Sequence, residues 1–167
     1  RRIYQNAPVR HVDIGSRIDG LVAHVAVFRE IEVLDIRPQD RAIANIRFLQ
    51  VDCMNPPAHM SDYCDSISCL HALEHFGLGR YGDALNFEGL GVPIGKQRIE
   101  FNAHRVFAVA YLVDILKSDY HIDGFSFVDD NGDFFENAPL EPEGIDSNFG
   151  CQYGCGVFEL TKRSLND

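Results

Sequence analysis

The sequence lacks both a long apolar run and a regular cysteine pattern. No stretch approaches the roughly 18 consecutive apolar residues that a membrane-spanning helix requires, and no signal peptide is recognisable at its start. We therefore expect no membrane partner. The five cysteines are an odd number without disulfide spacing, so we expect mostly reduced thiols and a cytoplasmic location.

A concentrated basic patch is also missing. The chain has 15 Lys and Arg residues against 25 Asp and Glu residues, which gives a net charge of -10. Nine of the carboxylates lie in residues 119–146, where there is no Lys or Arg, and the densest basic cluster, residues 37–47, contains Asp40. Because an excess of negative charge repels phosphate backbones, we expect no nucleic-acid partner.

The composition that remains is typical of one globular domain. The 167 residues are 46% apolar and 24% charged, which is enough to form a core of ordinary size. We therefore interpret residues 1–167 as a single domain. Its oligomeric state does not follow from the sequence.

The first half of the chain alternates between short apolar runs and polar or glycine-rich breaks. This pattern predicts strands at residues 9–14, 32–36, 46–52 and 65–70, with a helix at residues 21–29. Strands separated by helical or loop segments of this length are typical of βαβ units and a parallel sheet.

The second half reads differently. Apolar spacing predicts an amphipathic helix over residues 102–117, followed by strands at 124–129 and 156–162. Asn131 and Gly132 favour a type I′ turn between strands. At the start of the predicted helix, His104 and Arg105 could hold an acidic or phosphorylated substrate, or could face solvent behind an Asn102 N-cap.

Acidic residues stand at corresponding places on the predicted strands. Asp13 ends the first strand and is followed by Gly15, Asp35 ends the second about 20 residues later, Asp52 ends the third, and Asp65 begins the fourth. The carboxyl edge of an open α/β sheet is where ligands bind, and a carboxylate in the position of Asp35 can accept both hydroxyls of a ribose. Each acid alone is commonly a solvated strand end, but their shared register predicts a site for a nucleotide-like cofactor.

These residues resemble the class I S-adenosylmethionine-dependent methyltransferases. The resemblance extends over about residues 9–162 and is nearest to a domain-of-unknown-function family within that superfamily. The strings that carry it are Val-Asp-Ile-Gly at 12–15, Val-Leu-Asp-Ile-Arg at 33–37, Phe-Leu-Gln-Val-Asp at 48–52, Asp-Ser-Ile-Ser-Cys-Leu-His-Ala-Leu-Glu-His at 65–75, Ala-Leu-Glu-His-Phe-Gly-Leu-Gly-Arg-Tyr-Gly-Asp at 72–83 and Val-Pro-Ile-Gly-Lys at 92–96.

The resemblance implies a three-layer α/β/α Rossmann-like sheet that is mostly parallel and has a C-terminal antiparallel hairpin strand. It also implies S-adenosyl-L-methionine as cofactor and an unidentified small-molecule or glycan-type substrate, with no resident metal. The implied cofactor contacts run from the methionine moiety through the ribose to the adenine, and they involve Asp13, Gly15, Ser16, Arg17, Asp35, Ile36, Asp52, Cys53, Met54 and Leu70.

One residue departs from the motif of the superfamily. Arg17 stands where the second glycine of a Gly-x-Gly-x-Gly run is usual. The cation could contact the carboxylate of the cofactor, or it could narrow the pocket. The second possibility leads to an alternative function, a degenerate methyltransferase fold that binds a ligand without transferring a methyl group.

Three histidines are candidates for the base that takes a proton from a hydroxyl acceptor, because imidazole titrates near neutral pH. They are His71, His75 and His104. His71 and His75 also allow a different function, since His-x-x-Glu-His with Glu74 is the inverted zincin signature. A zinc peptidase would need a third protein ligand, and the predicted downstream helix offers only Asp114.

The resemblance also exposes an interval that is too short. Only 11 residues separate Tyr81 from Pro93, and they cannot contain a crossover of about 10–12 residues as well as a strand. We therefore expect residues to be missing from the sequence near Leu90 and Gly91.

Overall fold

The fold is taken from a computed structural model, which describes residues 2–70, 72, 93–100 and 104–163. The chain divides into two compact units, Arg1–Gly89 and Leu90–Asp167. The expected gap near Leu90 and Gly91 lies outside the described residues. None of the helices in the described ranges has the length and apolarity needed to cross a bilayer.

The first unit is built on a four-stranded parallel sheet. Its strands are β1 (His11–Ile14), β2 (Ile31–Asp35), β3 (Ile46–Gln50) and β4 (Ser66–Ser68), in the order β3-β2-β1-β4. All three pairings are parallel, which confirms the predicted parallel sheet. The helical elements are α1 (Arg2–Asn6), a kinked π-helical turn (Ile18–Val22), α2 (Ala23–Ala26) and a 3-10 turn (Ala58–Met60).

The core of this unit forms where α2 and the turn before it pack against β2. Val22 and Val25 lie three positions apart, so they share one face of the helical segment. They pack on Ile31 and Val33, and all four are at most 2% exposed. The first four residues of β2 are buried, as expected for a strand with a neighbour on each side.

The second unit is mainly antiparallel. Its elements are β5 (Pro93–Ile94), β6 (Arg98–Glu100), β7 (His104–Val106), α3 (Val109–Asp119), β8 (Tyr120–Val128), β9 (Phe134–Phe135), α4 (Pro142–Asp146), a 3-10 turn (Asn148–Gly150) and β10 (Gly154–Lys162). A two-stranded sheet pairs β6 with β7, and a four-stranded sheet has the order β5-β10-β8-β9. Phe125, Phe127 and Ile94 from the four-stranded sheet pack with Val109 and Leu112 of α3 to form the core of the unit.

The prediction of a helix over residues 102–117 is wrong for residues 104–108, while residues 102 and 103 lie outside the described residues. His104 and Arg105 lie in β7, where they pair with Glu100 and Ile99 of β6. The helix begins only at Val109, because Ala108 has extended backbone angles. His104 and Arg105 are therefore not at a helix N-terminus. Asn102, the predicted N-cap, lies outside the described residues. The apolar end of β7 continued the helical spacing across the boundary, which is why the pattern was misread.

The turn predicted at Asn131 and Gly132 is present, but it is not of type I′. That type needs a positive φ at both central residues, and here φ is positive at Gly132 (89°) but not at Asn131. The hairpin between β8 and β9 instead has a three-residue loop, closed by the Asp129 N–H, which donates to the Asp133 carbonyl at 3.0 Å. The carboxylate of Asp129 also accepts the N–H groups of Asn131 and Asp133.

Candidate ligand-binding site

A cavity of about 870 Å³ opens in the first unit, among the segments that follow strands β1 to β4. Because the strands are parallel, their carboxyl ends meet at one edge of the sheet, and the cavity lies there. Nine of the ten residues predicted to bind the cofactor line it: Gly15, Ser16, Arg17, Asp35, Ile36, Asp52, Cys53, Met54 and Leu70. Seven further lining residues were not predicted to bind the cofactor: Asp19, Gly20, Leu21, Leu34, Arg37, Val51 and Ala72.

Asp13, the tenth predicted residue, lies beneath the cavity and is fully buried. Its carboxylate accepts hydrogen bonds from the Ser16 N–H and hydroxyl, both at 3.1 Å, and from the Ser68 hydroxyl at 2.5 Å. Burial raises the pKa of this carboxyl group, while the bonds from Ser68 and Ser16 act against the rise. Asp13 therefore holds the turn after β1 in place from below.

A buried histidine extends this network. His11 is 2% exposed, and its two ring nitrogens lie 2.8 Å from Ser66 Oγ and 3.2 Å from Ser68 Oγ. Burial lowers the pKa of His11, and the charge of Arg29 adds to the effect. The ring is thus neutral. Since Ser68 gives its proton to Asp13, the His11 Nε2–H donates to Ser68 Oγ, and Nδ1 accepts from Ser66.

The sequence contained a signal for this network that the motif analysis missed. His11 and Asp13 alternate along β1, and Ser66 and Ser68 alternate along β4. Polar residues two apart lie on the same face of a strand. The register pairs His11 with Ser66 and Asp13 with Ser68, so the two patterns meet across the strands.

Gly15 brings the chain close to its neighbours at the cavity floor. Its φ is +66°, and a Cβ at this position would lie 2.7 Å from the Cβ of Ala72. Its N–H donates to the Leu34 carbonyl at 2.8 Å, which fastens the turn to β2. Both the backbone angle and the close approach require glycine here.

The carboxylate of Asp35 is held by Arg37, two residues further along the chain. Arg37 Nε lies 3.0 and 3.1 Å from the two carboxylate oxygens, and Nη2 lies 2.5 Å from Oδ2. The Arg37 N–H adds a fourth bond, to Oδ1 at 2.9 Å. The Asp35 side chain is 10% exposed, whereas that of Arg37 is 47% exposed.

Asp52 organises the turn that follows β3. Its carboxylate accepts the Met54 N–H at 2.9 Å and the Asn55 side-chain amide at 3.1 Å. Burial and the charges of Asp52 and Asp35 raise the pKa of the neighbouring Cys53 to about 11. Cys53 is therefore a neutral thiol near pH 7, which can contact a ligand but is not a nucleophile.

Arg17 lies at the rim of the cavity and not inside it. Its side chain is 85% exposed and donates to Asp19 through Nε at 3.0 Å and Nη2 at 2.6 Å. The arrangement leaves the cavity open. The Arg17 side chain therefore does not narrow the pocket, which was one of the two roles predicted for it.

The histidines predicted as catalytic bases are placed differently. His71 and His75 lie outside the described residues, as does Glu74 of the same motif. His104 is in β7 of the second unit, where its ring packs on Tyr153 with centroids 5.0 Å apart. Within the described ranges, no three His, Cys, Asp or Glu side chains are grouped in a way that could hold a metal ion.

The lining suits a flat heterocycle attached to a polar group. Ile36, Met54 and Leu70 supply apolar contact area, while Asp35 and Asp52 supply hydrogen-bond acceptors. The volume of the cavity is in the range of small-molecule and cofactor sites. No protein-family model, no curated protein and no solved structure matches this chain, so its function has to be argued from the geometry of the cavity.

Proposed function

We propose that the chain is an S-adenosylmethionine-dependent methyltransferase that acts on a small-molecule or glycan-type acceptor. The observation that carries the proposal is the position of Asp35 and Asp52. Asp35 is the last residue of β2, Asp52 follows the end of the neighbouring parallel strand β3 by two residues, and both line one cavity. This is the arrangement that the resemblance to the methyltransferases implies.

The strand order supports a nucleotide-type ligand at this edge. The order β3-β2-β1-β4 equals the first four strands of a doubly wound, Rossmann-like sheet. In such sheets the direction of winding reverses beside β1, and ligands bind at the carboxyl ends of the strands next to that point. The turn at Gly15 and Ser16 follows β1, and Leu70 follows β4, so both flank the reversal. We therefore propose the three-layer Rossmann-like architecture for the domain.

The polar groups match the parts of the proposed cofactor. Asp35 would accept the ribose hydroxyls, and Asp52 would lie toward the adenine, with Ile36, Cys53 and Met54 against the ring. The carboxylates also favour a ligand that carries a sulfonium cation. These residues are on separate segments after β2 and β3, which the sheet holds in fixed positions.

The mechanism that follows is one of positioning. Bound S-adenosylmethionine supplies a methyl group that is already activated. The chain then has to hold the acceptor in line with that group and to exclude water, and orientation of this kind can supply most of the rate. A hydroxyl acceptor must also lose a proton, and His71, His75 and His104 remain the predicted bases.

A domain that binds the same ligand without methyl transfer is the second candidate. The observation that suggests this alternative is Arg17 in place of glycine, although the exposed position of the Arg17 side chain leaves room for the ligand. The two functions separate in a transfer assay with labelled cofactor. Binding without transfer to any small hydroxylated acceptor or glycan would favour the second.

The zinc peptidase alternative has a direct test. Its motif residues, His71, Glu74 and His75, lie outside the described residues. We expect metal analysis of the purified protein to find less than stoichiometric zinc. One zinc per chain would contradict the methyltransferase proposal.

Calorimetric titration with S-adenosylhomocysteine tests the proposal itself. We expect a micromolar Kd, and a rise in the free energy of unfolding of about 2.7 kcal/mol when the ligand is at about 100 times Kd. Asp35→Asn should weaken binding about tenfold or more, since hydrogen bonds to a charged acceptor contribute about 1.5–3 kcal/mol.

The matched control is Asp114→Asn. Asp114 is an exposed aspartate of α3 that pairs with Lys117, so its loss should leave the Kd of the wild type. Absence of both heat and thermal shift with the wild-type protein would overturn the proposal. Equal weakening by the two substitutions would show that Asp35 is not in the site.

A further inference from the structure

The guanidinium of Arg37 is hydrogen-bonded to the carboxylate of Asp35, which is the group proposed to bind the ligand. Four hydrogen bonds reach Asp35, one from the Arg37 backbone N–H and three from its side chain. Both residues line the cavity. The contact is therefore made inside the proposed binding site.

A carboxylate has about four acceptor positions, two on each oxygen. The Arg37 backbone N–H takes one position on Oδ1, Nη2 takes one on Oδ2, and the single Nε–H is shared between the two oxygens, which leaves too few positions for a second pair of donors. A ribose presents two adjacent hydroxyls, and both need an acceptor position on Asp35. The backbone bond can remain, but the side chain of Arg37 has to leave before the diol can bind through both hydroxyls.

The exposure of the pair shows that this departure is feasible. The Arg37 side chain is 47% exposed, so its charge can be hydrated once it leaves Asp35. The Asp35 side chain is only 10% exposed, and it needs a new donor when Arg37 departs. A ligand with two adjacent hydroxyls donates two hydrogen bonds to Asp35 in place of those from the Arg37 side chain, whereas a ligand with a single hydroxyl donates only one.

We propose that Arg37 competes with the ligand for Asp35: its guanidinium binds the carboxylate in the ligand-free protein and is displaced by a vicinal diol. This inference rests on the proposed function. Arg37 then lowers the affinity for the cofactor and its demethylated product, and it selects against small molecules that cannot offer two hydroxyls to Asp35. Release of the product is favoured by the same contact, because the guanidinium returns to the carboxylate.

Calorimetric titration of Arg37→Met with S-adenosylhomocysteine tests the inference. Methionine keeps an unbranched apolar stem but has no donor, and we expect it to lower the Kd about fivefold, the upper end of what a partly exposed ion pair contributes. Asp35→Asn and the double variant Asp35→Asn/Arg37→Met should bind with equal, weak affinity, because the gain depends on the carboxylate.

Arg47→Met is the matched control. Arg47 is also a half-exposed arginine with an acidic partner, Glu32, but it lies near the amino end of β3. The variant should have the same Kd as the wild type, and a thermal melting curve should show that it is folded.

The outcomes separate the two proposals. If the Kd of Arg37→Met is equal to or higher than that of the wild type, the inference that Arg37 competes with the ligand is wrong, while the proposed function still stands. A gain of the same size in the Asp35→Asn background also overturns this inference, because the effect would not act through Asp35. Absence of binding to both wild type and Arg37→Met overturns the proposed function and the inference together, whereas binding to Arg37→Met alone supports both.

Discussion

At the scale of single residues, burial sets the charge state of the groups beneath the cavity. His11 is held neutral and Asp13 fully buried, and Ser68 joins the two side chains. The negative charge of Asp65 opposes the lowering of the His11 pKa, but burial and Arg29 outweigh it. The imidazole of His11, which lies below the cavity, is therefore harder to protonate than an exposed histidine.

Stability should fall in acid because of His11. Its pKa in the folded chain lies below the ordinary value of 6.5, so the unfolded chain binds the proton more readily. The contribution of the neutral ring is thus complete above pH 6.5 and is lost as the pH falls toward the lowered value. Urea unfolding from pH 7.5 to about 5 should show a smaller decline for His11→Gln, which does not titrate. Parallel declines in the two proteins would contradict this expectation.

Gly15 should not tolerate even one added carbon. Gly15→Ala places a side chain at positive φ and against Ala72, and we expect it to lower the free energy of unfolding by about 2 kcal/mol, measured by urea unfolding. The double variant Gly15→Ala/Ala72→Gly removes the clash and keeps the backbone strain, so it should recover part of the loss. No recovery would mean that the close approach to Ala72 is not a source of the strain.

At the scale of elements, α3 takes its N-terminal hydrogen bond from a distant segment. Ala108 precedes the helix and offers no side-chain acceptor. The amide oxygen of Asn148, 39 residues later, accepts the Val109 N–H at 2.8 Å. The start of α3 is therefore fixed by a loop and not by the local sequence.

Loss of this contact should destabilise the second unit. Asn148 has a φ of 53°, so Asn148→Gly removes the acceptor without adding backbone strain. We expect a decrease of about 1 kcal/mol in the free energy of unfolding, measured by urea unfolding. Asn148→Asp is the control, because it keeps the acceptor and places a negative charge at a helix N-terminus. A loss of equal size in both variants would contradict the capping role.

The elements that the sequence predicted correctly are those in which burial and local pattern agree. The parallel strands of the first unit were found because each short apolar run ends at a polar or glycine-rich break. The helix boundary at Val109 was missed since Val106 and Phe107, buried at the end of a strand and in the residue after it, have the spacing of a helix face. Periodicity does not distinguish the two when the chain crosses from one element to the next.

At the scale of the whole molecule, charge is the property that governs encounters with other molecules. The chain carries a net charge of -10, and the acidic residues 119–146 lie in the second unit. The basic side chains at the cavity, Arg17 and Arg37, are both paired with acids. From this charge we expect cationic or neutral ligands and not phosphate backbones.

We expect no binding of nucleic acid at physiological ionic strength. A fluorescently labelled single-stranded oligonucleotide of about 20 nucleotides should show no change in anisotropy at about 0.15 M salt. The reason is that non-specific affinity depends on cations that replace the counterions of the phosphates. Binding that weakens as salt is raised would contradict the expectation and would indicate a basic surface.

The sequence by itself determined which acidic residues lie at the carboxyl ends of the parallel strands. It thereby determined the chemistry of the edge of the sheet at which the cavity lies. Gly15, Asp35 and Asp52 follow strands that must end at the same side of a parallel sheet, so local pattern was sufficient to bring them together. These positions depend only on the chain direction of each strand.

Tertiary structure decided which groups touch. The register between β1 and β4 placed Asp13 on Ser68, and so below the cavity. The fold of the turn after β2 placed Arg37 on the carboxylate of Asp35. Register and side-chain pairing depend on packing between segments that are far apart in sequence or free to choose among rotamers, and no local pattern encodes that choice.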